Sequence, residues 1–110
     1  MIHLVRQPAT EQQMQEMLEA HGSFIKVAVD IHRNVLAGGG EFHADCESLL
    51  MEDGSRREDV WGADWLPAER KVRFTALINI RPRVNPAMEI RDAGIRQRLE
   101  EIVRTLLEHS

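Results

Sequence analysis

Apolar and polar positions recur with two different periods along this chain, and the switches between them divide it into elements. Thr10 and Gln13 form a capping-box pattern. Met14, Met17, Leu18 and His21 then fall at i, i+3, i+4 and i+7, one face of a helix that Gly22 ends. From Phe24 the period drops to two. Ile25, Val27, Val29 and Ile31 alternate with Lys26, Ala28, Asp30 and His32, which predicts a strand with one strongly apolar face. His32-Arg33-Asn34 reads as a turn and Val35-Leu36-Ala37 as a short returning strand. After Gly38-Gly39-Gly40 the helical spacing returns at Phe42, Cys46, Leu49 and Leu50, and Gly54 closes that helix. Glu41, Asp45 and Glu47 sit in its early turns, where the helix dipole favours negative charge.

The second half repeats the alternation. Asp59–Trp65 and Lys71–Arg81 read as a β-hairpin around Pro67. In its second strand Val72, Phe74, Ala76, Ile78 and Ile80 share one face, and Arg73, Asn79 and Arg81 the other. Trp61 and Trp65 point the same way, towards a helix or as the wall of a pocket. Pro82 and Pro86 bracket an extended connection. Asp92 is a natural N-cap for a last helix, whose stripe is Ile95, Leu99, Ile102, Val103, Leu106 and Leu107. The expected fold class is therefore α+β, a mainly antiparallel small sheet with three helices packed on it, covering one face.

Length makes this a single domain over residues 1–110. With 43% hydrophobic and 29% charged residues, the composition is that of a folded globular chain rather than a disordered one. The single cysteine excludes an internal disulfide. No apolar run approaches the ~20 residues of a membrane helix. Met1–Pro8 has no signal-like apolar stretch, so a cytoplasmic setting is expected. A net charge of −4 gives no whole-molecule attraction to nucleic acid. The charge is nonetheless split, −7 over residues 1–65 and +3 over 66–110. Together with the paired tryptophans, that split suits a self-complementary surface and a homodimer.

Two stretches hold the candidate chemistry. The first runs from Asp30 to Glu47. Its triple glycine lacks the Lys-Ser/Thr of a phosphate-binding loop, and carboxylates follow it. Metal binding fits the charges better. His43 and Glu47 lie at i, i+4 on a helix, and Asp30 and His32 at i, i+2 on a strand. If the two pairs meet, they form a set suited to a divalent transition metal. The alternative is that Asp30 and His32 flank a turn and the acids cap a helix. Cys46 shares the apolar stripe, which favours a buried structural thiol over a nucleophile.

The second stretch is rich in arginine. Arg73, Asn79, Arg81, Arg83 and Asn85 are candidates to hold an anionic ligand or an acidic partner, since the guanidinium fork matches carboxylate and phosphate. The alternative is a solvated face paired to local acids.

Lys26–Glu47 reads K-V-A-V-D-I-H-R-N-V-L-A-G-G-G-E-F-H-A-D-C-E. With Gly54-Ser55, Asp59-Val60-Trp61-Gly62 and Ile78-Asn79-Ile80-Arg81-Pro82, the chain resembles a family of small prokaryotic proteins classed as a domain of unknown function, from about residue 24 to the last helix. That resemblance implies a prokaryotic cytosolic protein and no reaction. Two functions are therefore expected. The first is a non-catalytic binding or regulatory module for an anionic ligand or partner. The second is a metal-binding protein or small metal-assisted hydrolase.

Overall fold

The computed structural model describes residues 1–108. The alternation at Ile25, Val27 and Val29 becomes the middle of a five-stranded antiparallel sheet. In chain order the elements are β1 (His3–Val5), α1 (Glu11–Leu18), β2 (Ile25–Asp30), β3 (Val35–Gly38), α2 (His43–Glu52), β4 (Val60–Leu66), β5 (Lys71–Arg73) and α3 (Ala93–Leu107). The sheet order is β1-β3-β2-β4-β5. The fold is α+β, as the pattern of elements predicts.

Local sequence explains most of these boundaries. The Thr10 hydroxyl accepts from the Gln13 N–H, and the Gln13 side chain accepts from the Thr10 N–H, which closes the capping box at α1. Asp92 caps α3 by accepting from the Ile95 N–H. The β2–β3 turn needs no glycine because Asn34 adopts φ 61°, a conformation asparagine tolerates better than most residues.

The helices cover both faces of the sheet, not one. On the first face α1 and α3 close over Ile25, Val27, Val29, Leu36, Trp61 and Trp65. On the second, α2 lays Cys46 and Leu50 against Ala28, Val35, Ala37 and Val60. The reason lies in the residues on the other face of the strands. Ala28, Ala37 and Val60 are themselves apolar and fully buried, so that face also demands a cover. Both tryptophans pack between the sheet and the first helix layer. The short edge strand β1, paired with β3 through His3 and Gly38, carries too few residues for its alternation to be recognised.

The expected strand Lys71–Arg81 ends early, at Arg73. Beyond it the chain pairs with residues 88–90 instead: Ala76 N–H donates to Met88 O and Ile90 N–H to Phe74 O. A single 3-10 turn then forms at Leu77–Asn79. Asn79 causes the break. Its side chain turns inward and takes the place of a strand neighbour for Gly62, accepting from the Gly62 N–H (2.7 Å) and donating to the Gly62 carbonyl (2.9 Å). Gly62 is required there, because a Cβ would lie 2.6 Å from that of Ala76.

Candidate functional site

Asp64 is the one acidic residue inside the buried run Val60–Trp65. It projects from the α2 side of β4, just beyond the N-terminus of α2. Its two oxygens hold two different side chains. Oδ1 lies 2.8 Å from His43 Nε2 and Oδ2 accepts from Arg73 Nε at 2.8 Å. His43 Nε2 also lies 3.0 Å from the Ala63 carbonyl. Two acceptors at one nitrogen place the imidazole proton on Nε2 and leave Nδ1 without it in the neutral ring.

This trio floors a cleft of about 570 Å³ between the start of α2 and the segment following β5. Two aromatic rings, each carrying a cation, flank the floor. Arg73 stacks 5.1 Å from the centre of Phe24, and Lys26 lies 5.6 Å from that of Phe42. Lys26 is the cross-strand neighbour of Asp64. It forms no ion pair among the described residues, because both oxygens of Asp64 are taken by His43 and Arg73. Apart from Thr75 the remaining wall is apolar, built mainly by Ala76, Leu77, Ile78 and Met88. With the imidazole neutral, the floor holds two cations and one carboxylate, an excess of one positive charge against an apolar wall.

Phe42 departs from the expected helix face. It is the N-cap of α2, is 63% exposed and makes no capping hydrogen bond with its side chain. It overhangs the cleft rather than filling the core. Cys46 does lie under α2. It is fully buried with Sγ 3.5 Å from the Lys26 carbonyl, and burial pushes its thiol up to about 11. Such a thiol is protonated at neutral pH and is no nucleophile. The triple glycine is taken up by the fold's own packing. Gly39 has φ 101°, and a Cβ there would sit 2.2 Å from the Met1 carbonyl.

The four residues expected to bind metal are dispersed. Asp30 is buried at the end of β2, where Oδ1 accepts from the backbone N–H groups of His32 and Arg33, both at 2.9 Å. His32 is exposed on that turn. His43 is held by Asp64. Glu47 lies buried on α2, with Arg57 Nε 4.0 Å away. No group of three or more His, Cys, Asp or Glu side chains able to hold a metal ion forms among the described residues.

The arginine-rich candidates divide in the same way. Only Arg73 reaches the cleft floor. Asn79 is buried against Gly62 and also donates to Met88 O at 3.1 Å. Asn85 is buried, donates to the carbonyls of Asn79, Ala87 and Glu89, and accepts from the Arg91 N–H. It staples the Pro82–Pro86 connection shut. Arg81 donates to the carbonyls of Glu58 and Val60 and stacks 3.9 Å from the centre of Trp61. Arg83 is exposed at φ 74°. The expected shared face of Arg73, Asn79 and Arg81 does not form, because the strand that would carry it stops at Arg73. Asp64, Lys26, Phe24 and Phe42 were not among the sequence candidates. The available signal was Asp64, a charge inside an apolar strand.

The architecture is thus a five-stranded antiparallel α+β sheet with a cleft beside its single-helix face. The chain belongs to the family described as "Protein of unknown function (DUF5674)", whose model matches residues 3–106. No curated protein and no solved structure matches the chain. Among the described residues, no helix is long and apolar enough to cross a membrane.

Proposed function

We propose that this chain is a small non-catalytic binding or regulatory module that takes an anionic group in the cleft above Asp64. One observation carries the reading. The buried Asp64 fixes His43 and Arg73 at the floor of a largely apolar cleft, while neighbouring Lys26 has no carboxylate partner among the described residues. Binding sites are typically concave and apolar with a few convergent polar groups, and this cleft has that character. Arg73 and Lys26 attract the anion, and Phe42, Leu77 and Met88 cover an apolar body attached to it. The buried, protonated Cys46 supplies no nucleophile, which supports binding rather than covalent catalysis. A cytoplasmic setting accords with the single, unpaired cysteine.

The test is titration with phenyl phosphate, an aromatic body bearing an anion, followed by amide chemical shifts. Binding should perturb residues around Lys26, His43 and Arg73 and weaken with rising salt. Lys26→Ala and Phe42→Ala should each weaken it about tenfold. Undetectable binding, or binding unchanged by both substitutions, removes the cleft as an anion site.

A further inference from the structure

Seven large apolar side chains are exposed among the described residues, and five of them line two clefts that share a wall. Phe42, Leu77 and Met88 border the cleft above Asp64, Leu77 being 71% exposed. Ile80 and Val84 border a second cleft, of about 470 Å³, with Val84 69% exposed. The two clefts share Ile78 and are separated only by the Leu77–Asn79 turn. They form one continuous apolar strip. Solvent-exposed apolar strips of this kind mark interaction surfaces.

Both ends of the strip are basic. Lys26 and Arg73 stand at the first end. At the second, Arg57 and Arg81 line the cleft and Arg83 lies beside it between Pro82 and Val84. Arg81 hydrogen-bonds to carbonyls, and the nearby Glu47 and Asp59 offset part of its charge without forming an ion pair with it among the described residues. Arg57 has a carboxylate only at 4.0 Å. The acids lining the strip are already engaged, Asp64 by Arg73 and His43 and Glu58 by Arg56.

We propose that this strip is the docking site of an extended acidic segment of a partner protein, with carboxylates at its ends and apolar side chains between. The proposal rests on the anion-binding reading of the first cleft and extends it across the Leu77–Asn79 turn to the second. Charge decides against a second copy of this chain. A two-fold contact through the strip would set one basic end against the other, and like charges brought together across an interface cost affinity. The apolar middle decides against nucleic acid. Phosphates would suit the ends, but the middle offers aliphatic side chains and, among the described residues, no exposed pair of aromatic rings on which bases could stack.

The experiment uses the intact chain and fluorescence anisotropy with two labelled peptides alternating glutamate and leucine. One is long enough to reach from Phe42 to Val84 and the other is half that length. The long peptide should bind more tightly. A double substitution Ile80→Ser/Val84→Ser should weaken it about tenfold. Both side chains are exposed, so the core is left intact. The same double variant should bind phenyl phosphate normally. Equal affinity for the two peptides, or a double variant that binds the long peptide normally, overturns the two-cleft segment while leaving the first cleft as an anion site. Phenyl phosphate binding that is indifferent to Lys26→Ala and Phe42→Ala overturns the underlying reading instead. A peptide with lysine in place of glutamate should not bind, and tight binding by it overturns the acidic assignment. Oligouridylate binding with the same sensitivity to the double variant assigns the strip to RNA and overturns the peptide. A dimer in light scattering that the double variant dissociates assigns it to a second copy, with the same result.

Discussion

Asp30 and Asp64 are both buried on the same face of the sheet, near opposite ends of α2. Asp30 lies near the C-terminal end of the helix and Asp64 near its N-terminal end. Asp30 spends its Oδ1 on backbone N–H groups two and three residues ahead, which shapes the β2–β3 turn. Next to it, Arg33 bonds Asp53 and Ser55 and ties the turn to the end of α2. The buried Oδ2 of Asp30 has no hydrogen-bond partner among the described residues, and Arg33 Nη1 stands 4.0 Å from it. Asp64 has no backbone donor among the described residues. It holds the side chains of His43 and Arg73, which come from other elements and line an open cleft. A buried carboxylate that bonds its own backbone closes a structure. One satisfied by side chains from elsewhere fixes a surface that remains accessible. Residue type and burial do not separate the two; the source of the donors does.

That contrast is open to experiment. The largest effect is expected at Asp30. Asp30→Ala leaves two backbone N–H groups without their charged acceptor and should cost about 3 kcal/mol in denaturant unfolding. Asp30→Asn retains an Asx-turn acceptor and should cost about 1 kcal/mol. Phenyl phosphate affinity should be unchanged in Asp30→Asn. A large change there would mean that the two ends of α2 are coupled.

Asp64→Ala should cost less, about 1–2 kcal/mol, because the half-exposed Arg73 can turn to water. Its signature is chemical. In the parent protein neutral His43 should be the Nε2–H tautomer in long-range proton–nitrogen spectra. Removing Asp64 leaves Ala63 O as the only acceptor among the described residues, and the tautomer preference should weaken. An unchanged spectrum would show that Asp64 does not orient the ring.

At the Asp30 end, hydrogen bonds from Arg33 and then Arg6 hold the Asp53 carboxyl below its ordinary value. A lowered folded-state value gives stabilisation that is present above the unfolded value, about pH 4. It is lost as pH falls through the lowered one. The stability difference between the parent and Arg33→Ala should therefore shrink as pH drops below about 4. A difference that stays constant would exclude the pair as its source.

The smallest effect concerns Cys46, under α2 between the two aspartates. At pH 8 its thiol should react with Ellman's reagent only as fast as the protein opens, since burial both shields it and raises it to about 11. Rapid reaction in native buffer would place the thiol within reach of the cleft.

The candidate site was legible only in part. His43 and Arg73 drew attention as charged residues in two separate stretches, one read as a metal ligand and the other as an anion contact. What joins them is Asp64, on the strand β4 that neither stretch contains. The two asparagines of the arginine-rich stretch are engaged within the fold for a physical reason. Asn79 and Asn85 carry amides that recognise backbone as readily as ligand, and here they satisfy carbonyls and N–H groups of the chain itself.

Local interactions made several elements readable from the residues alone. The Thr10–Gln13 box, the Asp92 cap with its apolar stripe on α3, and the alternation of β2 depend on neighbours within a few positions. Tertiary structure alone decided the rest. Which face α2 covers depends on where Ala28, Ala37 and Val60 come to lie once the strands pair. Strand β5 ends at Arg73 because the Asn79 amide bonds Gly62, 17 residues earlier. His43 meets Asp64 across 21 residues and Arg73 meets it across 9. Such contacts follow from the register and faces of the finished sheet, and no local period in the sequence encodes them.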